Sequence, residues 1–141
     1  MTISARNQLS ATVKTIKSGA VNDQIELTLN GGEHLVAVIT SDSTQKLSLA
    51  QGSNVVAIFK APAVILSTDT DLILSARNQL QATVEKITHG SVNAEVLVKT
   101  QGGVEIVTIV TEQSVKNLAL EIGSQVNVLI KASQVILGVK K

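Results

Sequence analysis

The chain has 141 residues, a formal net charge of +1 and 44% hydrophobic residues, a composition that excludes a disordered tail and provides no basic field for a polyanion such as DNA. The absence of cysteine excludes a disulfide framework and a thiolate metal site. The apolar runs are far shorter than the ~18 residues of a membrane span, and the N-terminal segment has no signal-peptide core, so we expect a cytoplasmic protein with no membrane partner.

The sequence contains two copies of an internal repeat. A shift of 71 positions aligns residues 4–66 with residues 75–137 without a gap, and 28 of the 63 aligned pairs are identical. Similarity at a fixed period indicates repeated structural units. The polar, acidic stretch STDTD (67–71) is typical of an exposed join, so we predict two domains, 1–67 and 73–141, connected by a linker at 68–72.

Three strands are predicted at the start of each copy. In the first copy, ATVKTI (11–16) lies in one strand, the period-two alternation of 21–30 predicts a second, and HLVAVIT (34–40) a third. The glycines of NGG (30–32), like those of QGG in the second copy, favour a turn because glycine readily adopts positive φ.

A short helix and two further strands are expected to complete each copy. The segment 40–52 begins with Thr, Ser and Asp, which suit a helix N-cap, and we predict that its helix ends at Gly52 and that of the second copy at Gly123. Apolar strands near 54–60 and 63–67 then close the unit. The predicted fold is therefore all-β with one short helix per repeat: two tandem OB-like five-stranded β-barrels. Apolar residues on both faces of VVAIF and VNVLI favour packing between copies and between chains.

Three polar features recur in the two copies. They are SARNQL at 4–9 and 75–80, a Lys-Ala pair at 60–61 and 131–132, and a Val-Asn pair at 21–22 and 92–93. Each feature also has an explanation that involves no ligand: a solvated arginine, a lysine that protects a strand edge, and an asparagine in a turn. Together they supply hydroxyl, guanidinium and ammonium donors without a recurring carboxylate. Such a donor set favours a small tetrahedral dianion.

The combination of SARNQL, a Val-Asn pair after a glycine, a GG turn and the KA block followed by VIL resembles the Mop domain of the molbindins over essentially the whole chain, twice. The resemblance implies an OB-like barrel, assembly as a homotrimer, and binding of molybdate or tungstate between domains and subunits for storage and homeostasis, with no organic cofactor and no direct ligands to a metal cation.

The resemblance also assigns oxyanion contacts. The principal ones in the first copy would be Ser4, Arg6 and Lys60, with Ala5, Asn7 and Ala61 in the same motifs. In the second copy they would be Ser75, Arg77 and Lys131, with Ala76, Asn78, Ala132 and Ser133; the Val21, Asn22, Val92 and Asn93 pairs are further candidates. In the molbindins, a small hydroxyl residue commonly follows the KA pair. Ser133 matches this pattern, whereas Pro62 lacks both a hydroxyl and an N–H, so the two sites are expected to differ.

Two other function classes are compared with the sequence. An enzyme is disfavoured because the histidines do not correspond between copies: His34 aligns with Glu105, and His89 with Ser18, which leaves no repeated triad or metal-ligand pattern. An OB-fold nucleic-acid-binding module is the alternative. Such modules stack bases on aromatic residues and follow the backbone with a basic groove, but this chain has one Phe and a near-neutral charge, so no nucleic-acid partner is expected.

Overall fold

The structure, a computed structural model, describes residues 3–141 and is built mainly from β-strands. The first repeat contains β1 (Asn7–Lys17), β2 (Asn22–Leu29), β3 (His34–Thr40), helix α1 (Ser41–Lys46), β4 (Asn54–Phe59) and β5 (Val64–Ser67). The second contains β6 (Asn78–Thr88), β7 (Asn93–Thr100), β8 (Glu105–Thr111), helix α2 (Glu112–Asn117), β9 (Gln125–Ile130) and β10 (Ile136–Gly138). The predicted all-β class, with five strands and one short helix per repeat, is confirmed. Among the described residues, no helix has the length and apolar character needed to cross a bilayer.

Both helices end earlier than predicted. Helix α1 stops at Lys46 because Ser48 adopts a positive φ of 50°. The Ser48 N–H then donates to the Gln45 carbonyl, and the Leu49 N–H donates to the Thr44 carbonyl. This bonding pattern is a Schellman motif, which closes a helix end.

Helix α2 ends in the same way, at a residue that is again not glycine. Ala119 has a φ of 51°, and the N–H groups of Ala119 and Leu120 donate to Lys116 and Val115. The prediction that the helices reach Gly52 and Gly123 is therefore wrong. Those glycines, with φ of 90° and 95°, instead form the turns that enter β4 and β9.

The closing strands are exchanged between the repeats. One sheet has the order β10-β4-β1-β2-β3 and the other β5-β9-β6-β7-β8. Strand β10 of the second repeat pairs antiparallel with β4, and β5 of the first repeat pairs antiparallel with β9. The expectation that 63–67 closes its own repeat is therefore wrong. The segment after each KA pair crosses to the other repeat, and each sheet is completed by the partner repeat.

The exchange gives the two repeats a shared core. In each sheet the two edge strands contact one another, β3 with β10 and β8 with β5, so the sheet curls into a half-barrel. Buried hydrophobic residues of both repeats form a continuous cluster that includes Leu27, Phe59, Val98 and Ile130. A pair of small units, each marginal alone, thereby buries a larger core.

The two glycine turns meet where the repeats face each other. Gly32 and Gly103 have the expected positive φ, 93° and 88°. Glycine is required at the preceding positions, 31 and 102, for a different reason. A Cβ on Gly31 would lie 2.8 Å from the Gly102 carbonyl oxygen, and one on Gly102 would lie 2.3 Å from that of Gly31. The first glycine of each turn is therefore required by close backbone approach between the repeats.

Candidate oxyanion site

The SARNQL block folds as a braced loop that enters the first strand of each repeat. The Gln8 amide donates to the carbonyls of Ala5 and Ile3, at 3.0 and 3.3 Å. Gln79 makes the equivalent bonds to Ala76 and Leu74. These bonds hold the Ser-Ala-Arg segment in a fixed curve, with the Ser and Arg side chains exposed and the following Asn buried.

The buried asparagine of each block joins the two repeats. Asn78, only 2% exposed, donates to the Val36 carbonyl at 2.7 Å and accepts from the Val36 N–H at 2.6 Å. Asn7 makes the same pair of bonds with Val107, both at 2.8 Å. Because β3 and β8 are edge strands, the amide satisfies backbone groups that would otherwise lack a ladder partner. The Asn side chains therefore have a structural role.

The arginine before each asparagine also reaches across to the other repeat. Arg77 Nη1 donates to Gln24 Oε1 at 2.8 Å, and Arg6 Nη1 donates to Glu95 Oε1 at 2.6 Å. Gln24 and Glu95 lie on β2 and β7, respectively. Each arginine is thus placed at the junction of the repeats by a partner from the opposite copy.

The KA pairs lie beside the arginines because of the strand register. Asn78 is opposite Ile130 in the β6–β9 pair, and Asn7 is opposite Phe59 in the β1–β4 pair. The next residues outward are Arg77 beside Lys131 and Arg6 beside Lys60. Each lysine directly follows the last residue of its strand, at the strand end predicted from the sequence.

A 3₁₀ turn follows each lysine, Ala61–Ala63 in the first repeat and Ala132–Gln134 in the second. These are the first and second KA turns. The first KA turn packs on β8 and the second on β3. N–H groups at the start of a helical turn have no partner within it, so they are available donors. The second KA turn has such an N–H at Ser133, whereas the first has Pro62 there.

A cavity of about 560 Å³ brings most of the predicted residues of the second repeat together. Its lining includes six of the residues predicted in the second repeat, Ser75, Ala76, Arg77, Lys131, Ala132 and Ser133, whereas the predicted Asn78, Val92 and Asn93 lie outside the lining. Val38 and Ile65 of the first repeat complete the wall. We call this the second site. Its lining combines two hydroxyls and two cations with aliphatic groups.

The equivalent residues of the first repeat form what we call the first site, Ser4, Arg6, Lys60 and Ala61. Ser4, Arg6 and Lys60 are exposed, and Ala61 is buried at the start of its turn. Two features distinguish this site from the second: Pro62 replaces the hydroxyl residue, and a carboxylate, Glu95, contacts the arginine.

The Val-Asn pairs lie at the start of β2 and β7, exposed in the single chain. Their loops are tied to the helix starts, where the Ser41 N–H donates to Val21 and the Glu112 N–H to Val92, both at 2.8 Å. Asn22 also lines a cavity of about 510 Å³ that shares Val38 and Ser133 with the second site. Asn22 therefore lies near the second KA turn.

Different carboxylates anchor these loops in the two repeats. Asp23 accepts from the Ser41 hydroxyl at 2.7 Å and from the Gly19 N–H at 3.2 Å. The Ser41 hydrogen bond, followed by one from Thr44, lowers the pKa of Asp23 below its ordinary value. In the second repeat, Glu112 takes this role. Its pKa is lowered first by its hydrogen bond with His89 and then by the Gly90 N–H. His89 thus has a structural partner.

Comparison with known proteins identifies the family. The TOBE domain model matches residues 3–66 and 74–137. The chain belongs to the TOBE domain family. This tandem TOBE chain is similar to the molybdenum-pterin-binding protein MopA of Rhodobacter capsulatus, with 39% identity over 138 residues that cover 97% of the chain and 52% of the relative.

Two further similarities are informative. The molybdenum transport protein ModE of Herbaspirillum seropedicae is 34% identical over 142 residues, which cover 100% of this chain and 53% of that protein. A solved structure of the cytoplasmic molybdate-binding protein ModG, with molybdate bound, is 50% identical with a TM-score of 0.96, covering 99% of this chain and 100% of that one. The tandem TOBE chain spans about half the length of the curated relatives it matches.

Sequence reasoning missed the residues contributed across the junction. Gln24 and Glu95 contact the arginines, and Val38 forms part of the wall. Gln24 and Glu95 lie two residues after Asn22 and Asn93 on a strand, so they share a face with those candidates. This two-residue spacing is the sequence feature from which they could have been predicted.

Proposed function

We propose that this protein binds molybdate or tungstate at the junctions between its repeats. We further propose that it serves molybdate storage and homeostasis in the cytoplasm. The observation that carries the proposal is the second site, where Arg77, Lys131 and Ser133 line one cavity. The similarity to a molybdate-binding protein at 50% identity over the full chain supports the choice of anion.

The chemistry of the second site suits a dianion that carries no proton. A guanidinium and an ammonium provide charge-assisted donors, and the hydroxyls of Ser75 and Ser133 can rotate to donate. The N–H groups of the second KA turn add further donors. In the first repeat, Ser4, Arg6, Lys60 and Ala61 would make the equivalent contacts.

The first prediction concerns anion selectivity. Near neutral pH phosphate carries at least one proton, and the lining of the second site has no carboxylate to accept it; a proton without a strong acceptor costs ~1–3 kcal/mol. Phosphate should therefore bind roughly 5- to 150-fold more weakly than molybdate. Sulfate has no proton, so discrimination against it should be weaker. Calorimetric titration with molybdate, tungstate, sulfate and phosphate gives the order.

Equal affinity for phosphate and molybdate would contradict a site that lacks a carboxylate acceptor. The same preparation titrated with labelled single-stranded DNA provides the comparison with a nucleic-acid-binding module. Binding of DNA without binding of molybdate would replace the proposed function.

The second prediction separates a site lysine from one that only protects a strand end. Lys131→Ala removes a charge-assisted hydrogen bond worth ~1.5–3 kcal/mol, so the dissociation constant of the sites it lines should rise about ten- to a hundredfold. Lys60→Ala should weaken binding only at the lower-affinity sites. Lys60 belongs to these sites because the turn that follows it contains Pro62. Equilibrium dialysis with molybdate measures both. Lys116→Ala, on the exposed face of α2, is the control for net charge.

We also propose that the chain assembles as a homotrimer. Large apolar side chains are exposed at equivalent positions of both repeats, Val21 with Val92 and Ile65 with Ile136. The cavity at the second site, about 560 Å³, is of the size that encloses a drug-like ligand and is larger than one small oxyanion requires. Because Ile65 lines that cavity, a neighbouring chain that covers Ile65 would also close the site.

The third prediction is the mass of the particle in solution. Sedimentation equilibrium at micromolar concentration should give about three times the 14.8 kDa of the chain. A stable monomer under these conditions, with molybdate present, would contradict the assembly. Ile65→Asp tests the surface: it should weaken association, because burial of an unpaired charge is unfavourable.

A further inference from the structure

The two arginines at the repeat junctions have partners of different charge. Arg6 contacts the Glu95 carboxylate at 2.6 Å, and Arg77 contacts the Gln24 side-chain amide at 2.8 Å. Gln24 and Glu95 are separated by 71 positions, so they occupy the same place in the repeat. The two junctions are built alike and differ here in one negative charge.

A carboxylate in this place opposes the binding of a dianion. Glu95 neutralises the guanidinium, so an incoming anion must share or displace that contact, and the two negative groups repel each other. Gln24 imposes no such repulsion, and its amide N–H₂ can turn to donate. The side chains of Arg6 and Glu95 are 52% and 37% exposed, so solvent screens the pair and the effect is moderate.

The difference in the KA turns acts in the same direction. Ser133 gives the second site a hydroxyl and an N–H, and Pro62 gives the first site neither. Two independent differences, one on β7 and one after β4, therefore both reduce the anion-binding capacity of the first site.

We propose that Glu95 is an internal anionic competitor that sets the affinity of the first site below that of the second. One chain then has a tight class and a weak class of sites, which would take up and release oxyanion in two concentration ranges. This inference rests on the proposed function, because it concerns the affinity of the same sites.

Reciprocal substitutions test the role of Glu95. Glu95→Gln gives the first junction the chemistry of the second, and Gln24→Glu does the reverse. Titration calorimetry with sodium molybdate at low ionic strength resolves the classes. Glu95→Gln should tighten the weak class roughly three- to fivefold, and Gln24→Glu should weaken the tight class by a similar factor.

The control is Glu121→Gln, which removes the same charge from an exposed position after α2 and should leave both classes within twofold of the unsubstituted protein. Sedimentation of every variant verifies the assembly. If the unsubstituted protein binds molybdate and both junction substitutions leave both classes unchanged, the role of Glu95 is refuted while the proposed function stands. If the unsubstituted protein binds no molybdate, the proposed function fails, and the inference fails with it.

Discussion

Leu137→Ala is expected to lower the free energy of unfolding by about 2–5 kcal/mol and to loosen the sheet of the first repeat, although Leu137 belongs to the second. Leu137 is 7% exposed and lies opposite Ala57 in the β10–β4 pair. Its loss leaves a cavity beneath the exchanged strand, so β4 becomes less well covered. Urea denaturation gives the stability, and hydrogen exchange shows which amides lose protection.

The reciprocal variant and a control define this result. Leu66→Ala removes the equivalent side chain of β5, also 7% exposed, and should expose amides of β9. Gln134→Ala, exposed in the segment before β10, should change stability by less than about 0.5 kcal/mol. Lost protection in β9 on substitution of Leu137 would show that β10 closes its own repeat and would refute the exchange.

Asn78→Ala should destabilise the protein by about 2–4 kcal/mol, because it leaves the N–H and the carbonyl of Val36 without partners on an edge strand. Asn7→Ala should have a similar effect through Val107. The measurement is urea unfolding of each variant. Asn117→Ala, an exposed asparagine at the end of α2, is the matched control and should cost far less.

The same variants separate a structural asparagine from one that contacts the anion. If the amide only joins the repeats, any loss of molybdate affinity should be proportional to the loss of stability. Conditions that stabilise the fold should then restore the affinity. An Asn78→Ala protein with unchanged stability and no molybdate binding would contradict the structural role and assign the side chain to the anion.

The sequence was sufficient for features that depend on local periodicity. The alternation in 21–30 predicted β2, and the HLVAVIT segment matched β3. The internal repeat supplied the two-fold organisation, and the polar blocks that recur between copies supplied the residues now found around one cavity, Arg77, Lys131 and Ser133 among them.

Features that depend on contacts between the repeats were not predictable. The sequence of β5 describes an apolar strand but does not specify which β-strand edge it joins, and its exchange with β10 needs long-range pairing. The helix ends were misplaced because Ser48 and Ala119 take a conformation that glycine usually provides. The bonds from Asn78 to Val36 were also not predicted, because repetition alone does not distinguish a residue that binds a ligand from one that joins two strands.

The most direct test of molybdate binding at the second site is to locate molybdenum in crystals of the protein grown with sodium molybdate, by anomalous diffraction at the molybdenum absorption edge. We expect a strong peak in the second site, with the anion oxygens within hydrogen-bond distance of the Arg77 guanidinium, the Lys131 ammonium and the second KA turn, and a weaker peak beside Arg6 and Lys60. Molybdenum bound elsewhere, with no peak in the second site at saturating molybdate, would contradict this expectation.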